Sequence, residues 1–60
     1  MSGGDYIIEF KPQGRYVKVT AVDPVSGIEA VVVGDAAQPA QTLQRVAIQK
    51  LEFLLSKLSP

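Results

Sequence analysis

From Ala40 to Leu58 no proline or glycine interrupts the chain, and its apolar residues recur at helical spacing. At 100° per residue, Leu43, Ala47, Leu51, Leu54 and Leu58 fall within roughly 80° of arc, with Ile48 and Leu55 on its flank. Thr42, Arg45, Gln49, Glu52 and Ser56 line the opposite side. A helix with one apolar stripe needs a surface to cover, and that requirement dictates what the rest of the chain must build. Pro39 suits a first helical position and the residue before a proline avoids the α region, so Gln38 is expected to cap the helix.

Upstream the period changes to two. Tyr6-Ile7-Ile8-Glu9-Phe10 is β-branched and aromatic and predicts a strand from Asp5 to Lys11. Arg15 to Val22 alternates and predicts a second strand, and Ile28 to Val33 a third, closed by Gly34. Pro12-Gln13-Gly14 and Asp23-Pro24-Val25-Ser26-Gly27 supply turn chemistry between them. The expected fold is α+β: a three-stranded antiparallel meander in the order 1-2-3, with one C-terminal helix on one face. Residues 1–4 are expected to form a disordered tail and residues 5–60 a single β-β-β-α domain.

Register follows from faces and charge. A tip at Gln13-Gly14 sets Glu9 opposite Lys18, Phe10 opposite Val17 and Ile8 opposite Val19, which joins an ion pair to two apolar pairs. A four-residue Pro24–Gly27 loop sets Val19 opposite Val32 and Ala21 opposite Ala30. One face then carries Tyr6, Ile8, Phe10, Val17, Val19, Ala21, Ile28, Ala30 and Val32, and a one-residue slip would expose all of them. Along this strand order the helix is longer than the sheet: twenty residues span ~30 Å and a seven-residue strand ~23 Å. An overhang would leave Leu55 and Leu58 without sheet beneath them.

Composition narrows the function. Six basic residues balance six acidic ones, unlike a domain built to seek nucleic acid or membrane. Cysteine and histidine are both absent, which removes disulfides and the usual zinc sites; no metal or cofactor is expected. No apolar run reaches the ~18 residues of a membrane span, and the first residues lack a signal-peptide pattern, so a cytoplasmic protein is expected. The serines have no histidine to serve as base, and no glycine loop has phosphate-binding spacing. Asp5, Asp23 and Asp35 sit at element boundaries, where aspartate serves turn or cap hydrogen bonds. Lys50 and Lys57 read as solvated charges beside the helix's polar side. Neither catalysis nor a small-molecule substrate is expected.

Two sets of residues are left over. Ile7, Tyr16, Val22, Val31 and Val33 form an apolar group on the outer sheet face, and Val46 and Phe53 lie outside the helix stripe. Clustered exposed apolar residues point to a partner, so these seven form a candidate protein-binding or self-association surface; Val46 and Phe53 could instead wrap the sheet edge and complete the core. A weaker alternative is nucleic-acid contact through Lys11, Arg15, Tyr16 and Lys18, diluted by Glu9, Glu29 and four branched aliphatics.

The stretch Tyr6–Lys11, the run Val17-Lys18-Val19-Thr20-Ala21-Val22-Asp23-Pro24-Val25-Ser26-Gly27, then Val31-Val32-Val33-Gly34 and Leu51-Glu52, resembles a family of small uncharacterised bacterial proteins of unknown function. The resemblance covers nearly the whole chain after Gly4. It implies the same β-β-β-α fold and brings no activity, cofactor or catalytic residue.

Overall fold

A computed structural model describes residues 5–58. It contains β1 (Ile7–Gln13), β2 (Tyr16–Val22), β3 (Glu29–Asp35) and α1 (Ala40–Leu58). The strands form one antiparallel sheet in the order β1-β2-β3, and the helix lies on one face, as expected. The expected tail at residues 1–4 lies outside the described residues.

The first hairpin corrects the expected register. Glu9 stands opposite Thr20, Phe10 opposite Val19, Ile8 opposite Ala21, and Lys11 opposite Lys18, a shift of two residues that keeps every side chain on its face. The tip is Gly14-Arg15, with φ +62° at Gly14 and no positive φ at Arg15. That is the type II′ pattern, whose twist matches the flanking strands. The expected tip at Gln13-Gly14 would have made Pro12 the closing partner of the hairpin, where both backbone groups bond across the ladder. Proline has no N–H to give there. The observed register moves Pro12 opposite Val17, at a position whose nitrogen faces away from β2, the one place an edge strand tolerates it. A backbone requirement thus outweighed the Glu9–Lys18 pairing, worth at most ~1 kcal/mol.

The second hairpin matches expectation: Val19 pairs with Val32, Ala21 with Ala30, and Gly27 adopts φ +79°. Asp23 organises it. Its carboxylate accepts from Val25 N (3.1 Å) and Ser26 Oγ (2.9 Å), and its carbonyl accepts from Gly27 N (2.8 Å). Ser26 Oγ in turn accepts from Ile28 N. Asp35 does the same work before the helix, accepting from Ala37 N at 2.8 Å. The cap differs from expectation. The Pro39 carbonyl accepts from both Thr42 N and Leu43 N, so Pro39 holds the cap position. Gln38 lies one residue further out, and its Oε1 accepts from Asp35 N at 2.9 Å.

The helix α1 packs over β3 and β2 and barely meets β1. Val17, Val19, Ala21, Ala30, Leu43, Ala47 and Leu51 form the core, with Val19 and Leu51 the largest fully buried side chains. Ala21, Ala30 and Ala47 keep that interface thin, and so does Gly34: a Cβ there would collide with Leu43 Cδ2. The overhang is real at the C-terminal end, where Leu58 is 63% exposed although it shares the stripe with Leu51. Leu54 and Leu55 are half-buried against the core.

Beside the helix, Tyr6 is half-buried and its hydroxyl meets the Glu52 carboxylate. Burial raises its pKa first, then the Glu52 and Asp23 charges, then the hydrogen bond to Glu52. A raised phenol pKa favours the neutral form in the fold, so the contribution is intact below the unfolded pKa and is lost as pH rises through the folded one. In an NMR pH titration the Tyr6 ring is expected to titrate above free tyrosine, and Glu52→Gln is expected to lower it. An unchanged Tyr6 titration in that variant would count against the contact.

Candidate interaction surfaces

The sheet's outer face collects most of the expected apolar set. β1 contributes Ile7, Glu9, Lys11 and Gln13; opposite them β2 places Val22, Thr20, Lys18 and Tyr16; β3 follows with Glu29, Val31, Val33 and Asp35. Ile7, Tyr16 and Val33 are exposed, whereas Val22 and Val31 are half-buried by their neighbours. Val31 and Val33 adjoin on the outermost strand. Ile7 and Val22 sit at the opposite end of the face from Tyr16, so the set is an elongated strip with polar breaks at Thr20 and Lys18.

Val46 and Phe53 do not complete the core: they are 45% and 58% exposed. The helix flank that carries them faces past β3, because Lys50 on the same flank donates from Nζ to the Val31 carbonyl at 2.8 Å. Lys50 is therefore not simply solvated. It covers a backbone acceptor on an open sheet edge, a recognised guard against strand addition. Lys57 also has a partner, with Nζ 5.1 Å from the centroid of the Phe53 ring.

The alternative basic set is brought together. Lys11 and Lys18 are direct cross-strand neighbours, and Arg15 and Tyr16 belong to the same hairpin. Asp35 stands opposite Tyr16 on its other side, and Glu9 lies two residues from Lys11 on the same face.

A third surface escaped the sequence reading. No β1 residue is buried, and Phe10 is 40% exposed although it points to the helix side of the sheet. Phe10, Pro12, Val17, Ala36, Gln38, Ala40 and Leu43 line an open apolar groove of about 310 Å³ between β1 and the start of the helix. One signal was available. A helix ~10 Å across covers about two strands spaced ~4.8 Å, so a three-stranded sheet under one helix leaves a strand bare. The strand to be bared was the one with the bulkiest inward residues, because small residues mark the line of close approach.

Among the described residues no group of three or more acidic, histidine or cysteine side chains comes together to hold a metal, and no helix is long and apolar enough to cross a membrane. A family model described as a domain of unknown function, DUF6898, matches residues 3–58. No curated protein and no solved structure matches the chain.

Proposed function

The chain belongs to the DUF6898 family, and on that premise we propose that it is a self-associating protein-interaction module without catalytic activity. One observation carries the reading: the core is made of alanine, valine and leucine, and three of the four aromatic side chains, Phe10, Tyr16 and Phe53, are exposed, while Tyr6 packs half-buried at its margin. Aromatic side chains bury the most apolar area per residue and are enriched where proteins meet. A staple-free chain of this size gains most from a partner that covers them, and a second copy is the partner always present. A cytoplasmic location belongs to this reading. Sedimentation velocity over a concentration series is expected to show a monomer–dimer equilibrium. A single monomer boundary up to about 1 mM would sink the reading, since a contact weaker than about −4 kcal/mol is no specific association.

The Lys11–Lys18 pair favours a second reading, weak contact with nucleic-acid phosphates through Lys11, Arg15 and Lys18 with Tyr16 stacking on a base. Two ammonium groups held side by side suit a polyanion better than they suit the monomer. Titration with mixed-sequence single-stranded DNA at low salt is expected to show binding that weakens as salt rises, with a slope of about two to three counterions. Binding that is absent, or indifferent to salt, excludes this mode.

A further inference from the structure

We infer that a second copy of this chain docks on the free edge of β1, antiparallel to it, with the two-fold axis at Ile8; the inference rests on the self-association reading and gives it an address. The sheet has two open edges, and they are not equivalent. On β3 the Lys50 ammonium occupies the outward carbonyl of Val31. Pairing two β3 edges about Val31 would also set Lys50 against its own symmetry mate, and the flank between Val46 and Lys57 holds no carboxylate to separate them. On β1 the ladder alternates from the closing pair Gln13–Tyr16, so Ile7, Glu9 and Lys11 bond to β2 while the N–H and C=O of Ile8 and Phe10 point outward. Among the described residues neither has a hydrogen-bond partner on that side. The helix does not reach over them, and the exposed Phe10 ring stands beside the same edge.

Charge and proline select one register. An axis at Glu9 or Lys11 opposes each residue to itself. An axis at Ile7 sets Asp5 against Glu9 of the second copy. An axis at Phe10 pairs Glu9 with Lys11 but aims the Pro12 ring at Ile8 of the second copy, at a position that requires an N–H. An axis at Ile8 opposes no like charges and ends the paired ladder at Lys11, one residue short of Pro12. Ile8 exchanges both backbone bonds with its mate, and Phe10 stands opposite Tyr6 of the second copy, an aromatic cross-strand pair. Lys11 stands opposite Asp5 of the second copy, which gives an anion to an ammonium whose direct cross-strand partner in the monomer is Lys18. The product is a six-stranded sheet with both helices on one face. A strand-edge contact buries less than the ~800 Å² per partner of a standard interface, so Kd is expected on the order of 100 µM.

The test is a charge swap read by sedimentation velocity. Lys11→Asp places aspartate against Asp5 twice across the axis and is expected to weaken the dimer about tenfold. The double variant Asp5→Lys/Lys11→Asp is expected to restore it. Lys11 is exposed and opposes Lys18, so Lys11→Asp keeps the fold intact, which a thermal melt of the same sample verifies. A wild-type dimer indifferent to Lys11→Asp, or one the double variant fails to rescue, overturns the β1 assignment and leaves self-association standing. A wild-type chain that stays monomeric at about 1 mM overturns the self-association reading itself, and this inference with it.

Discussion

Leu51→Ala is expected to cost about 2–5 kcal/mol and to leave the chain largely unfolded. Leu51 has no solvent exposure and lies at the centre of the helix–sheet contact. Its remaining neighbours include Ala21, Ala30 and Ala47, whose short side chains cannot swing in to fill the cavity. A single-core domain of this size rarely has more than ~3–5 kcal/mol to lose. Circular dichroism with urea titration reads the result: a flat or strongly left-shifted unfolding curve is expected. The comparison that gives the measurement its meaning is Leu58→Ala. Leu58 occupies the same helical stripe but hangs past the sheet, so its truncation is expected to move stability by no more than ~0.5 kcal/mol. Equal losses at the two positions would mean that the helix does not lie where it is described.

Gly34→Ala is the second large effect, and its sign is the informative part. The backbone at Gly34 is not in the left-handed region, so replacing glycine there would ordinarily stabilise by ~0.4–1 kcal/mol through the unfolded chain. Gly34 faces the helix, however, opposite Val17 in the ladder. The added methyl would strike Leu43 Cδ2 and come within 3.0 Å of Gln38 Oε1. Both are held, Leu43 in the core and Gln38 by its bond to Asp35 N. Overpacking of this kind costs ~1–3 kcal/mol, so a net loss is expected. A double-mutant cycle with Leu43→Ala separates the two terms. Gly34→Ala should be harmful beside Leu43 and mild beside Ala, with a coupling of ~1 kcal/mol or more. Additive losses would assign the cost to something other than this contact.

Much of the fold could be read before any tertiary fact was known, and the reasons are local. Asp23, Ser26 and Gly27 specify the second turn by short hydrogen bonds and one left-handed residue, so its register came out as expected. The first turn went the other way because two local rules competed. A favourable Glu9–Lys18 pairing was the weaker claim, and the missing N–H of Pro12, together with Gly14 at the first central position of the turn, was the stronger. Gln38 was misplaced for a similar reason: its side chain found Asp35 N, and the Pro39 carbonyl took the cap position. Of the residues expected to form a partner surface, Ile7, Tyr16, Val33, Val46 and Phe53 are exposed, and Val22 and Val31 are half-covered.

The alternation of side chains along three segments, the stripe on a fourth and the turn residues between them determined the β-β-β-α order and the face of nearly every residue. Those are properties of period, and a sequence carries its periods explicitly. Which two strands the helix covers is a different kind of fact. It depends on volumes meeting across the core, with Gly34, Ala21, Ala30 and Ala47 admitting close approach along β2 and β3, while on β1 Ile8 is only half-buried against the core and Phe10 stays exposed. That choice left the β1 edge bare, sent Lys50 to guard the β3 edge and put Phe10 in the open, although the sequence had placed it with the core. Packing compares distant residues in three dimensions, so only the tertiary structure could decide it.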